Sequence, residues 1–600
     1  MNIREYHNDY IINKLYKSFL VVSILGALAA TAGMLIDNII VGQLLGHDAL
    51  AAMAVVTPIS LVFSIFSNIC SGGGTVKVAH AIGKGDSEAV CQSFTVTMLV
   101  VVAVSLCLTA VGLIFTPQIV VLLGGGSDEK IALLSVQYLR GFFLGTLPTV
   151  MMPPLAALVR VDGSTKLPLY GMITMSVADV ALDLLSTLVF HGGMLGMAIA
   201  TSLSYVLAVL VLLLHFRKKE RILYLVKPKD VCGEIISMVK LGAPTALSRA
   251  CDTVKLSVLL NMAMAAAGAA AVTAFGVRNQ AENIVCALAV GVGQALVPIV
   301  GIFYGEEDRS SLKKALKSAL RAGICINMAA AFIILLAPQI FTIMLGVSND
   351  EAISKLAFAA LRCFAAALPF KAVNTVLMNF YQSTKRSMYA NLVCLLQSLV
   401  YPLLLAVIFV NAGGINGLWL VFPLAEVFTM VTVAIFISIQ RHHLLHGVED
   451  AMLLDDRFGS CLKESLEISV PNSMDEVMKI SEGIGEFVKD KKIPETVVKR
   501  VSLCIEEIAG NIVQHSYKEG EKRFLDILLT DKEDCVVVRF RDNGKMFDPP
   551  AFLNDLKQKE EEEPAGEKTA WGIRLIASLA DKIEYQYYIG LNNLTVIFHK

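Results

Sequence analysis

The stretch RHHLLHGVEDAMLLDDRFG, residues 441–459, divides two unlike compositions. On its amino-terminal side, long apolar runs follow one another from Phe19 onward. On its carboxy-terminal side, charged and apolar residues alternate as in a soluble domain. Twelve apolar runs precede the junction, most exceeding the ~20 residues that cross a hydrocarbon layer. The expected architecture is an all-α polytopic membrane bundle of twelve transmembrane helices in two six-helix lobes, residues 1–220 and 221–445. A linker, 446–461, and an α/β sandwich domain, 462–600, would follow.

Charge placement agrees with that division. Lys77 and Lys84, Arg160 and Lys166, Arg217-Lys218-Lys219 with Arg221, Arg309 with Lys313 and Lys314, and Lys385 with Arg386 fall in alternate connections. The connections between these are almost free of Lys and Arg, as at Gly42–Ala49 and His191–Gly196. The positive-inside rule places the basic set in the cytoplasm, with both termini on the inner side of a cell membrane and the tail facing the cytoplasm. The run Phe19–Ile36 reads as a true span and not as a cleaved leader. A formal net charge of −1 gives no footprint for nucleic acid. Twelve cysteines without a Cys-x-x-Cys pair exclude a zinc ribbon or a disulfide framework.

The apolar region repeats itself. Thr116-Pro117-Gln118-Ile119 returns as Ala337-Pro338-Gln339-Ile340, and Leu123-Gly124 with Asp128-Glu129 as Leu345-Gly346 with Asp350-Glu351. Leu147-Pro148 returns as Leu368-Pro369, Ser164-Thr165-Lys166 as Ser383-Thr384-Lys385, and Gly193-x-x-Gly196 as Gly414-x-x-Gly417. Duplicated bundles of this kind bind substrate between their lobes.

Charges inside spans need a reason, because the bilayer penalises each by a few kcal/mol. Asp37 lies in the first span; Asp179 and Asp183, four apart, share one face of the fifth. Close carboxylates in an apolar cavity form a site for a proton or a small cation. In the second lobe Arg249, Asp252 and Lys255 fall at i, i+3 and i+6, and Glu282 lies one span later. That ladder reads equally as a structural ion pair or as a substrate contact.

The wording of two segments resembles a known family. Asp37-Asn38-x-x-Val41-Gly42-x-Leu44-x-Gly46-x-x-Ala49-Leu50-Ala51-Ala52, and Gly291-x-Gly293-Gln294-Ala295 through Val300-Gly301-x-x-Tyr304-Gly305, are similar to motifs of the multidrug and toxic compound extrusion (MATE) antiporters. The resemblance implies export of small organic, often cationic, compounds in exchange for H⁺ or Na⁺. It also implies a coupling role for Asp37 and Asp183; Asp179 stands where many members carry Asn.

In the tail, Val498, Val501, Ile505, Ile508 and Ile512 mark a helical core stripe from Glu495, with Glu507 and Asn511 four apart on another face. Strands are predicted over Phe524–Thr530, Cys535–Arg541, Lys582–Tyr588 and Asn593–His599. A short helix, Asn554–Lys559, an acidic lid, Glu560–Glu563, and a helix opening at Gly572 are expected between them. Asn511 offers a neutral oxygen to Mg²⁺. Glu507 can orient a nucleophile toward a γ-phosphate. Asp542 can accept from an adenine amino group, Gly544 permits close backbone approach, and Gly572 would present helix N–H groups to phosphate.

This order resembles GHKL ATPases, most closely the anti-sigma-factor serine kinases. The resemblance implies Mg²⁺ at Asn511, a catalytic base at Glu507 and adenine contacts at Asp542 and Gly544. The chain departs from that family at Ala570-Trp571-Gly572, where Gly-x-Gly is usual. His442, His443 and His446 have no dimerisation hairpin around them and read as juxtamembrane surface residues. No Gly-x-x-x-x-Gly-Lys-[Ser/Thr] pump motor is present. The leading expectation is a secondary antiporter with a regulatory ATP-binding tail. The alternative is a membrane-anchored serine/threonine kinase that uses the bundle as a sensor and an anti-anti-sigma-like cytoplasmic protein as partner.

Overall fold

The computed structural model describes residues 9–124, 128–218, 221–344, 350–455, 458–459, 465–489, 493–517, 523–532, 534–553 and 568–600. The expected helix Asn554–Lys559, the lid Glu560–Glu563 and the Leu345-Gly346 copy lie outside them. The chain forms two compact units. One comprises Tyr16–Glu306 and Ser310–Leu453; the other comprises Leu454–Lys600 with Met1–Leu15 and Glu307–Arg309.

The first unit is helical throughout. Its elements are α1 (Tyr10–Ile40), α2 (His47–Gly83), α3 (Ser87–Leu122), α4 (Glu129–Leu144), α5 (Thr146–Val161), α6 (Lys166–Leu184), α7 (Gly193–Leu213), α8 (Val231–Gly305), α9 (Arg309–Leu336), α10 (Gln339–Met344), α11 (Glu351–Ser383), α12 (Ser387–Leu395), α13 (Tyr401–Arg441) and α14 (Val448–Ala451). Among the described residues nine helices are long and apolar enough to cross a membrane, or ten when the pair α4 and α5, bent by 50°, counts as one span. Their outer faces expose Leu106, Ile114, Phe332 and Ile439, the pattern of side chains that meet lipid.

Local chemistry explains where these helices start and bend. Asp86 caps α3 by accepting from the Ala89 amide at 2.9 Å. Asp128 caps α4 through the Lys130 amide at 2.8 Å, and Asp350 caps α11 through the Ala352 amide at 3.0 Å. Two of the repeated sequence fragments are therefore the same cap written twice. Gly193 (φ 56°) and Gly414 (φ 57°), also repeat mates, both hold a backbone angle that side chains disfavour. Gly414 breaks α13, and Ala267 with Gly268 break the 75-residue α8.

Among the described residues the unit has several apolar cores, one of them around Met152, Leu155 and Leu212. Phe63, Tyr138, Phe142 and Phe143 pack together in the first lobe, and Phe275, Phe364, Trp419 and Phe422 in the second. The lobes are joined by α2 lying against α8. There Gly73 faces the Met238 carbonyl, Gly242 the Ile69 carbonyl, and Gly83 the Ile302 carbonyl and the Gly305 Cα. Small residues are what let two membrane helices approach backbone to backbone.

The tail unit carries β1 (Ser465–Pro471), α15 (Met474–Lys489), α16 (Glu495–His515), β2 (Phe524–Asp531), β3 (Cys535–Asp542), α17 (Lys568–Leu579), β4 (Lys582–Tyr588) and β5 (Leu591–His599). Its strands form one antiparallel sheet in the order β1-β2-β3-β5-β4. Val498, Val501, Cys504, Ile505 and Ile508 of α16 pack on Ile527, Leu529, Val538 and Phe540 of the sheet. The helical stripe read from sequence is one face of this core; on the sheet β3 alternates over most of its length as expected, but β2 is buried at all six interior positions, from Leu525 to Thr530, and is not a half-buried strand.

One expectation is corrected here. Gly572 was expected to open a helix, but α17 begins at Lys568 and Gly572 lies within it. The Gly572 amide sits past the first four unpaired N–H groups of the helix, so it is not one of the free donors a phosphate needs.

The glycine seam makes a direct prediction. A Cβ on Gly83 would be driven into the Ile302 carbonyl, whereas one on Gly413 meets open space. Gly83→Val should lower the unfolding temperature of the detergent-purified chain, with overpacking on the order of 1–3 kcal/mol or more, and Gly413→Ala should leave it unchanged. Equal melting of the two variants would mean that α2 and α8 do not seat against each other.

Candidate functional sites

Three arrangements of charge stand out, two in the bundle and one in the tail. In the first lobe, α6 places Asp179 and Asp183 on one face and α1 brings Asp37 to them. Carboxylate oxygens of all three lie within 4.8 Å of one another. Asp183 is fully buried and Asp179 nearly so. Each acid-bearing helix widens into a π turn beyond its acid, Val41–Leu45 after Asp37 and Leu185–Val189 after Asp183. Such π turns gather at functional sites. Asp179 accepts from the Ser204 hydroxyl of α7 at 3.1 Å. Both Asp183 oxygens and Oδ1 of Asp37 are buried without a hydrogen-bond partner among the described residues. Three carboxylates this close cannot all be ionised and unneutralised in an apolar interior; the cluster must hold protons or a cation.

The second lobe is the opposite case, because its acids are occupied. Glu282 on α8 lies between Arg278 Nη1 at 2.6 Å and Lys371 Nζ of α11 at 2.5 Å. The Arg278 guanidinium also sits over the Phe422 ring, 3.7 Å from its centre. Glu426 of α13 accepts from Asn374 at 2.9 Å and Gln397 at 3.1 Å. The expected Arg249–Asp252–Lys255 ladder closes only in part: Lys255 pairs with Asp252 at 2.7 Å. Arg249 is exposed and has no partner among the described residues. The sequence reading had Glu282 but missed Arg278, Lys371 and Glu426. The i, i+4 spacing of Arg278 and Glu282 was the available signal. A cavity of about 460 Å³ runs between residues of both lobes and is lined by these second-lobe groups. That is room for a drug-sized molecule.

In the tail, α16 sets Glu507 and Asn511 one turn apart, with Asn511 donating to Glu507 at 3.3 Å. A Cβ on Gly572 would collide with the Glu507 carboxylate, so what the missing side chain provides at Gly572 is the approach of α17 to α16. Asp542, at the end of β3, accepts from the Gly544 amide at 2.7 Å and from the Asn592 amide group at 2.9 Å, both at Oδ1. The Lys545 amide donates to the Ser516 carbonyl at 2.9 Å, tying this turn to the end of α16. Burial pushes the Asp542 carboxyl up to about 6. Asn592, which fixes Oδ1, carries no motif that sequence could have shown. The tail's expected residues thus form two pairs, Glu507 with Asn511 and Asp542 with Gly544, and Gly572 is drawn to the first.

Two family models match the chain. The MatE model covers residues 23–185 and 244–405, one segment in each expected lobe. The histidine kinase-like ATPase domain model covers residues 470–598. The chain is 26% identical over 336 residues to a probable multidrug resistance protein, YoeA, of Bacillus subtilis, covering 54% of this chain and 70% of that protein. It is 23% identical over 450 residues to the multidrug export protein MepA of Staphylococcus saprophyticus, covering 73% of this chain and 95% of that one. A solved outward-facing MATE transporter of the MOP superfamily shares the fold, with a TM-score of 0.67 at 19% identity over 70% of this chain and 94% of its own.

Asp542 predicts opposite pH trends for folding and for ligand binding. Its carboxyl is raised in the folded state, so its contribution to stability is complete below the unfolded value near 3.8 and is lost as pH rises through about 6. Asp542→Asn keeps an oxygen for both donors and removes that loss. It should stabilise the ligand-free tail at pH 7.5, by about 3 kcal/mol at most. A ligand amino group needs the ionised form. ATP affinity of the full chain should therefore fall as pH drops through about 6, and Asp542→Asn should bind weakly at every pH. An affinity that ignores both the substitution and the pH change would remove Asp542 from the nucleotide site.

Proposed function

Because the chain belongs to the MatE family, we propose that it is a secondary efflux transporter that exchanges a small organic compound for H⁺ or Na⁺, with transport tuned by nucleotide at its tail. It is a multi-pass membrane protein. The observation that carries the coupling is the acid cluster of Asp37, Asp179 and Asp183, where buried carboxylate oxygens lack partners. A proton or Na⁺ supplies the missing charge, and its release toward one side of the membrane would be linked to the cavity opening toward the other.

Twelve crossings fit the helices. A 75-residue helix is ~110 Å long, several times the hydrocarbon thickness, so α8 counts as two crossings split at Gly268. The segment Ser387–Arg441 likewise divides at Gly414. With an even number of crossings and the basic connections inside, both termini and the tail lie in the cytoplasm, where ATP is.

The tail's sheet, its α16 acid–amide pair and its buried Asp542 support a GHKL-type site for ATP with Mg²⁺ at Asn511. This tail has no pump motor, so ATP is a regulator and the ion gradient the energy source. The alternative, a sensor kinase anchored by the bundle, leaves the acid cluster and the cavity without a task.

Reconstituted in liposomes under H⁺ or Na⁺ gradients, the chain should move dyes from a panel of both charge signs. Asp183→Asn and Asp37→Asn should each slow that movement about tenfold or more, as expected when a required charge carrier is lost. Asn511→Ala should change the rate when ATP is present and not when it is absent. Full gradient-driven transport by Asp183→Asn would refute the coupling assignment.

A further inference from the structure

The cavity between the lobes is lined by five cationic side chains, Arg160, Arg249, Lys255, Arg278 and Lys371, and by three carboxylates. None of the three carboxylates is spare. Asp252 is held by Lys255, Glu282 by both Arg278 and Lys371, and Glu426 by two side-chain amides. An organic cation entering this cavity would meet acids whose charge is already engaged by Lys255, Arg278 and Lys371 or by side-chain amides.

The cationic side is not used up. Arg160 is 5% exposed, lies in the last turn of α5, and lines the cavity. No hydrogen bond or ion pair reaches its side chain among the described residues, and its Nε is buried without a partner. The carbonyl end of α5 offsets part of its charge but leaves the guanidinium's donors free. Arg249 is likewise unpaired and turned to the open cavity. A buried guanidinium with free donors is a ready receptor for a planar or tetrahedral oxyanion, which it binds with two parallel hydrogen bonds. The remaining lining, with Leu61, Met172, Leu256, Phe275, Val290 and Phe422, suits an apolar body behind that head.

We propose that the cavity takes an organic anion, a carboxylate or phosphate carried on an apolar body, and that Arg160 with Arg249 recognises its acid group. This deepens the transport reading and rests on it. The acid cluster of the first lobe then serves the coupling ion, and cargo and ion occupy sites of opposite sign.

The test uses the full chain, purified and reconstituted, with carboxyfluorescein as anionic probe and ethidium as cationic probe. Carboxyfluorescein should be transported and ethidium much less. Arg160→Gln should weaken carboxyfluorescein binding, read by fluorescence anisotropy in detergent, about tenfold, the loss of one charge-assisted pair. Arg160→Lys should recover part of it. Arg249→Gln, at an exposed position that tolerates change, should weaken binding in the same direction and keeps the test open if Arg160 variants do not fold. Displacement of the probe by short-chain phosphatidylglycerol would identify a lipid headgroup as the acid; displacement only by soluble carboxylates would identify a water-soluble anion. Either supports the proposal. Transport of ethidium with carboxyfluorescein ignored overturns it while leaving the transport reading intact. If neither dye moves but Arg160→Gln still abolishes carboxyfluorescein binding, anion recognition stands and transport falls. Absence of carboxyfluorescein binding overturns the proposal.

Discussion

Charge held away from water is the constraint on which the bundle depends. Glu282 shows how it is met in the second lobe: Arg278 from its own helix and Lys371 from α11 take one oxygen each, and the Phe422 ring shields the guanidinium. Removing Glu282 would leave two buried cations without their anion, a strongly destabilising change. The clamp therefore fixes α8, α11 and α13 in one arrangement. The first lobe meets the same constraint in the opposite way: Asp179 is held by Ser204, while both Asp183 oxygens and one of Asp37 have no hydrogen-bond partner among the described residues. One lobe pairs its buried charges and the other leaves some of its acid oxygens open, and the backbone that joins them is held close by the glycines of α2 and α8.

The tail obeys the same rule on a smaller scale. Asp542 is buried at the end of β3, and hydrogen bonds from Gly544 and Asn592 reach one of its oxygens. Burial of the carboxyl is a standing cost to the fold, which these two donors offset in part.

Much of this was legible in the sequence, and the reasons are particular. The apolar stripe on α16 and the strand alternation at Cys535–Arg541 report burial by periodicity, which needs no knowledge of neighbours, whereas β2 is buried at all six interior positions and carries no such alternation. Asp37, Asp179 and Asp183 were visible because a carboxylate in a span is rare. Lys371 and Glu426 obey the same logic, yet their meaning lay in contacts between helices far apart in sequence. Arg160 read as a cytoplasmic anchor, since it sits beside a basic connection; only the packed structure shows that it is buried at the cavity. Gly572 read as a helix opener because its motif lies at a loop–helix junction in similar chains. In this chain the helix starts a turn earlier, and the glycine's lack of a side chain serves contact with Glu507.

The doubled caps at Asp128 and Asp350, and the doubled turns at Gly193 and Gly414, preserve where matching helices of the two lobes start and turn. The charges between them are not doubled: acids with unpartnered oxygens in one copy, a paired clamp in the other. Duplication here has kept the punctuation and rewritten the words. A fold whose hinges are specified by a few capping and turning residues leaves its interior free to diversify, so a change of cargo need not disturb the machinery that opens and closes around it.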